Sequence, residues 1–431
     1  MTLRHNALGV LLIWLGLGLV LGVLERPYQW LSQLGFDLQR RLWLDAAGVP
    51  WRGAALVFGA ATLLIWLAWG PLAAGRGGGL TPALALQQGA PEPAMEVRLS
   101  LHTQLRRLPL MLLTHLAGMS VGVESPSASL GAAFLLALRR RWPRCSAWAG
   151  IPLPLFTAIG AGAGLGAAFR SPLLGVTYGI EELSREKGLP LVLPTLLLAG
   201  SGALLSSRLG QPARLVGLEL GMLPGHLWGW ALLLTVLGAL LGALFVRVLV
   251  PLAAWLARRL RAQRLPTAVA VAALLTLLAL LSGGLSLNDG SLSLAAELQG
   301  EPGGTPATLL WRYGSSLLSI AVGSPGGLMH DSMSLGSLLA APLRFLPSEA
   351  QAQLAAIGAA ALFAAANRTP LFCALFVFTL QGDPQLLVPL LLASAISAAL
   401  AEPLRPITWN EAQVEASMAQ PSPGPGLPRA C

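Results

Sequence analysis

The chain is poor in charge. Only 11% of its 431 residues are Asp, Glu, Lys or Arg, against roughly a quarter in soluble domains. So few charges cannot cover the surface of a soluble globule of this size. Long uncharged stretches take their place, at 8–24, 54–74, 145–169, 188–207 and 265–288. Each approaches the roughly 20 residues that cross a bilayer as a helix, and more than ten membrane segments are expected, some too short to cross fully. Lysine is nearly absent, Lys187 being the sole one, so the net charge of +9 rests on arginine. In a soluble chain that balance would suggest nucleic acid. Here the arginines flank apolar runs. Arg139, Arg140, Arg141 and Arg144 form one cluster, and Arg247, Arg258, Arg259, Arg261 and Arg264 another. They read as cytoplasmic loops under the positive-inside rule, and no nucleic-acid partner is expected. The three cysteines, Cys145, Cys373 and Cys431, have neither metal-ligand nor disulfide spacing. Cys145 and Cys373 are expected in packing, and no metal or cofactor is implied. The first apolar run is too long for a signal-peptide core and lacks a small-residue cleavage site. It reads as a retained helix.

Glycine and proline are abundant, 49 and 32 of them, many within the apolar regions. Glycine lets helices approach closely in lipid. Proline interrupts helices, and the freed backbone groups survive at membrane depth only inside protein or beside a wet cavity. The interruptions cluster at 75–82, 122–126, 323–327 and 403–406, read here as the walls of one central site. Two of them open a segment that occurs twice, GVESPSASLGAAF at 122–134 and GSPGGLMHDSMSLGSLL at 323–339. Both copies contain Ser-x-Ser-Leu-Gly, at 127–131 and 332–336, and each is followed by a second shared block, Arg170-Ser171-Pro172-Leu173 and Arg368-Thr369-Pro370-Leu371. Such duplication suggests a membrane transporter made of two repeats, with its site where they meet. The chain then divides into an N-terminal helix with an interfacial connection (1–53), a first transmembrane repeat (54–250), a second (266–409) and a Pro-rich tail (410–431) expected to be disordered. The connection carries Trp30, Phe36, Trp43 and Trp51 among charges, a mixture that suits the membrane interface. The fold class is an all-α polytopic membrane protein.

Four pieces carry chemistry. Gly75-Arg76-Gly77-Gly78-Gly79-Leu80-Thr81-Pro82 is a glycine loop closed by a proline, which prepares a helix start with outward-pointing amides. Such an end attracts an anion without a full charge; the plainer reading is a flexible surface loop. Gly122-Val123-Glu124-Ser125-Pro126 places a carboxylate at a second helix start. An acid at membrane depth is a functional candidate by default. Ionised, Glu124 competes with an anion for the same amides; protonated, it leaves. The plainer reading is a helix cap. The third piece runs from Gly160 through Arg170-Ser171-Pro172 to Glu181-Glu182, either a solvated helix end or a proton relay reached from the cytoplasm. The fourth is Gly323-Ser324-Pro325-Gly326-Gly327-Leu328-Met329-His330-Asp331. Asp331 is expected to cap its helix and turn away from the pore, with a role in ion selection as the alternative. His330 reads as its partner or as a pH-sensitive group.

These pieces, in this order, resemble the CLC family of chloride channels and chloride/proton antiporters, over about 75–406. That family's blocks read Gly-Ser-Gly-Ile-Pro, Gly-Arg-Glu-Gly-Pro, an Ala-Ala-Phe-Asn-Ala-Pro-Leu run ending Ile-Glu-Glu, and Gly-x-Phe-x-Pro. The resemblance implies a CLC-type inverted repeat of tilted and broken helices, and a homodimer with one pore per subunit. It places Glu124 on the family's external gating glutamate and Glu182 on its internal proton glutamate, a pair that points to the antiporter branch. Several positions depart. Gly78 stands where the family has an anion-contacting serine, Val123 and Ser125 flank the glutamate, and Met329 and Asp331 replace Phe and Pro. Thr408, or Trp409, stands for the tyrosine that closes the inner side. Backbone amides near Gly78, Leu328 and Met329 are therefore expected to hold the anion, with Thr408 at the inner mouth.

The expected function is exchange of chloride or a similar small anion against protons across a bacterial inner membrane. A passive channel of the same fold is the alternative. An intramembrane enzyme is disfavoured, since His102, His115 and His226 lack ligand spacing and no Ser has a nearby base. A transporter of organic solutes would need more polar groups than the apolar runs supply.

Overall fold

The computed structural model describes residues 2–211, 218–405 and 407–419, and its regular elements are helices. Residue 406, in the fourth expected break, and 420–431 of the expected tail lie outside the described residues. The first half contains α1 (Thr2–Leu24), α2 (Arg26–Gln39), α3 (Trp51–Ala68), α4 (Thr81–Gln87), α5 (Glu92–Arg98), α6 (Leu101–Leu116), α7 (Glu124–Arg141), α8 (Leu153–Ala168), α9 (Pro172–Tyr178) and α10 (Leu189–Arg208). After them come α11 (Trp228–Ala262), α12 (Arg264–Leu281), α13 (Ser291–Leu298), α14 (Pro306–Ala321), α15 (Met329–Ser337), α16 (Ser348–Asn367), α17 (Pro370–Gln381), α18 (Leu387–Ala401) and α19 (Trp409–Met418).

The duplication read from sequence extends to local detail. α6 and α14 begin alike: Ser100 accepts a hydrogen bond from the amide of Thr103, and Thr305 from that of Thr308. Each helix then buries one arginine completely, Arg107 and Arg312. After α8 and α16 the chain turns through a left-handed residue that is not glycine, Arg170 (φ 54°) and Arg368 (φ 61°). α7 packs on α8 and α15 on α16. α3 packs against α12, one from each half.

Among the described residues, seven helical stretches are long and apolar enough to cross a membrane, the longest being Ala7–Leu44 and Gly225–Ala262, and α8 and α17 are shorter apolar helices. Proline and glycine cut several apolar runs into short helices, among them α4, α9, α13 and α15. The connection expected at the interface is helical. α2 continues α1 within a single span and packs on α6, with Trp43 buried and Trp30 and Trp51 exposed. Residues 410–418 of the expected tail are helical. Thr408 and Glu411 form a reciprocal cap there, which supplies the start that α19 needs. α19 lies against α4.

The close packing has a specific cause. A β-carbon on Gly131 of α7 would lie 2.1 Å from the Gly160 carbonyl oxygen of α8, and one on Gly336 of α15 would lie 2.3 Å from that of Gly358 in α16. Glycine lets these backbones touch, as helix pairs in lipid require.

Candidate functional site

The halves meet backbone to backbone. The amide of Gly122 donates to the Gly327 carbonyl at 2.9 Å, and the amide of Gly327 donates back to the Gly122 carbonyl at 2.8 Å. This antiparallel bridge joins two residues in the same register of the repeated segment. It sets the starts of α7 and α15 beside one another, so two positive helix ends share one small region. The glycine loop before α4 is tied in as well, the Gly77 amide donating to the Gly323 carbonyl at 2.9 Å. Arg107 fixes that loop from behind by donating to the Gly75 carbonyl. Ser129 donates to the carbonyl of Gly79.

Glu124 is the first residue of α7 and is fully buried. Its Oε1 lies 2.6 Å from Nδ1 of His330, and its Oε2 is buried without a hydrogen-bond partner. The imidazole is held by rings: it stacks on Phe169 at 5.4 Å and meets Phe376 edge-on at 5.3 Å. Asp289 brings a third potential ligand atom within 4.8 Å of the other two. The 2.6 Å separation is that of a hydrogen bond. Two ligands around a zinc ion stand roughly 3.3 Å apart, and paired positive helix ends oppose a cation. His330 is thus the partner of Glu124. The expected partner, Asp331, is instead ion-paired with buried Arg312 at 2.8 Å. It makes no cap for α15, because neutralising a buried guanidinium outweighs capping.

Beside Glu124 lies a small cavity. Gly78, Gly79 and Leu80 line it from one loop, Gly326 to Met329 from the start of α15, and Ser125 from α7. Asn367, Trp409, Asn410 and Gln413 complete the lining. Gly78, Leu328 and Met329 therefore converge. Two departures from the family pattern also explain one another. A β-carbon at residue 78 would come within 2.6 Å of Ser125 Cβ. Ser125 thus occupies the room that a side chain at 78 would fill.

Thr408 does not line this cavity. Its hydroxyl accepts from the Glu411 amide at 3.1 Å, and Trp409 lines the cavity in its place. Residues 403–405 of the fourth break are likewise not among the lining, which draws on the first turn of α19.

The adjacent acids have separate tasks. Glu181 accepts from the amides of Leu371 and Phe372 at 3.0 and 2.6 Å, capping the start of α17 across the boundary between halves. Glu182 accepts from Nδ2 of Asn410 at 2.7 Å. Asn410 thus touches both the cavity and Glu182, and Tyr178 lies within electrostatic reach of Glu124 and of Glu182. Sequence reading missed Asn410, Ser125 and the His330–Glu124 contact. The one available signal was a histidine in an apolar repeat. It also missed Glu25, which is fully buried between α1 and α2.

Residues 58–402 match the family described as voltage gated chloride channel. The chain is 28% identical over 301 residues to the H(+)/Cl(-) exchange transporter ClcA of Vibrio cholerae serotype O1 strain M66-2, a match covering 64% of this chain and 62% of that protein. The ClcA of strain ATCC 39315 / El Tor Inaba N16961 gives the same figures. The chain thus matches less than two thirds of these relatives' length. Among solved structures, a slow cyanobacterial Cl-/H+ antiporter superposes with a TM-score of 0.77 at 22% identity, covering 95% of this chain and 98% of that one. A CLC-type fluoride/proton antiporter gives 0.69 at 20% identity, covering 93% and 96%. At those identities the likeness establishes the fold. The family match spans most of the sequence, and the chain belongs to the voltage gated chloride channel, or CLC, family.

Proposed function

We propose that the protein exchanges a small anion, chloride or one like it, for protons across a bacterial inner membrane. The observation that carries this reading is a buried carboxylate, Glu124, seated where α7 and α15 begin, beside a cavity walled largely by backbone. Helix ends offer partial positive charge without a counterion. A carboxylate and a small anion are alternative occupants of such a place. When Glu124 takes a proton it loses its claim on the positive ends and the anion can enter. When the anion leaves, the ionised side chain returns. Each cycle thus moves a proton one way and an anion the other.

Gly78, Leu328 and Met329 present backbone to the anion and Ser125 adds a hydroxyl. Trp409 stands at the inner mouth, where Thr408 was expected. Glu182 passes the proton on the inner side, with Asn410 linking it to the cavity. The relatives named as H(+)/Cl(-) exchange transporters, and the antiporter neighbours, support the pairing of anion with proton. The working unit is a homodimer in the lipid bilayer. The two repeats are those read from sequence, 54–250 and 266–409, and α11, which joins them, packs on α14, α16 and α18.

A passive channel of the same fold is the competing reading. Reconstituted flux with a pH-sensitive dye separates the two. An imposed anion gradient is expected to drive protons in the wild type. Glu124→Gln is expected to abolish proton movement while anion flux persists. Anion flux never accompanied by protons would show a channel.

A further inference from the structure

Three arginines are fully buried among the described residues, Arg107, Arg312 and Arg405. Two are supplied with acceptors. Arg107 donates to the Gly75 carbonyl, Gln104 and Ser129. Arg312 donates to the carbonyls of Leu285, Leu287 and Asn288 and pairs with Asp331. Arg405 is different: its Nε, Nη1 and Nη2 are all buried and none has a hydrogen-bond partner. The nearest acids are engaged elsewhere. Glu402 and Glu411 pair with Arg368 at 2.7 and 3.3 Å, and Glu411 also accepts from the Thr408 amide at 2.6 Å.

A buried guanidinium with no acceptor is costly, and the cost is removed by pairing it with a negative charge. Its place in the fold indicates which charge. Arg405 stands between α18 and α19, four residues before Trp409, the start of the turn that lines the cavity. It lies within electrostatic reach of Glu182, whose carboxylate already accepts from Asn410. The orphaned cation is therefore near Glu182, the acid that the proposed function assigns to the inner side.

We infer that Arg405 is an anion-binding residue, forming an inner station at which a small anion from the cytoplasmic side pairs with its guanidinium. The planar guanidinium offers several in-plane donors, which suits a halide and matches a planar oxyanion such as nitrate even better. The station rests on the anion-transport reading, and it changes the chemistry of that pathway. The central cavity relies mainly on backbone, and the inner approach carries a full positive charge. Glu182 sits within that charge's field, so arrival of an anion at Arg405 and ionisation of Glu182 oppose each other.

The test is isothermal titration of the purified full chain in detergent, first with sodium chloride and then with sodium nitrate. Arg405→Gln is expected to weaken binding of both about tenfold or more, the scale of one hydrogen bond to a charged group. Arg405→Lys keeps the charge and is expected to bind chloride within about threefold of wild type while losing nitrate preference. If Arg405→Gln elutes as wild type on size exclusion and binds both anions unchanged, the station is refuted. If wild type binds neither anion, the station falls with the transport reading. If the Arg405 effect is found but Glu124→Gln still moves protons, only the gating role fails.

Discussion

At the scale of single residues, the contact between Glu124 and His330 decides most. A carboxylate oxygen and an imidazole nitrogen 2.6 Å apart form a short hydrogen bond. Around them stand Asp289, Tyr178 and the neutralised pair Arg312–Asp331. His330 holds one oxygen of the carboxylate in place, so in the exchange cycle proposed above this bond must break before the Glu124 side chain can move. His330→Phe would keep the stacking on Phe169 and Phe376 and delete the bond. Anion flux in liposomes is then expected to rise roughly tenfold under conditions where the wild type is slow, from the loss of one charge-assisted hydrogen bond. Flux unchanged from wild type would remove His330 from the gating step.

At the scale of elements, helix starts and glycine contacts position the site. α7 and α15 begin side by side because Gly122 and Gly327 pair as a short β-bridge. Their bodies are seated on α8 and α16 through glycine, where no side chain separates the backbones. Gly131→Leu would insert a branched side chain into a contact that a β-carbon already overfills. Overpacking of this kind costs roughly 1–3 kcal/mol or more. The expected result is a lower unfolding temperature in detergent, with anion flux reduced per folded protein because the start of α7 is displaced. A variant with unchanged melting and flux would show that α7 and α8 can separate without cost. The same scale explains the division between Glu181 and Glu182. Consecutive residues near the end of a helix point in different directions, one toward the start of α17 and the other toward α19.

At the scale of the molecule, every part of the site is shared between halves. Glu124 comes from the first repeat and His330 from the second. Glu182 comes from the first, and its partner Asn410 from α19 near the end of the described chain. Asn410→Leu leaves the gate and the helix starts in place but removes the polar link between cavity and inner acid. Proton flux is expected to fall several-fold, with anion flux retained, as the ratio of the two in one liposome preparation would show. Equal loss of both fluxes would point to a purely structural role for Asn410.

Much of this was legible in the linear chain. Low charge and long apolar runs identify a membrane protein because lipid accepts little else. The repeated Ser-x-Ser-Leu-Gly and the Arg-x-Pro-Leu blocks show two halves because equal turns need equal residues. Glu124 stood out because an acid at membrane depth is expensive. Other features depend on which groups come within a few ångströms after folding, and linear order does not encode that. Asp331 looked like a cap until Arg312, buried on the neighbouring helix α14, claimed it. Thr408 looked like the inner mouth until its hydroxyl was used to start α19. His330, Asn410 and the unpartnered Arg405 acquire meaning only from neighbours brought in from other elements. The cause is burial itself: with no water to satisfy polar groups, each must find a partner in space or wait for an ion.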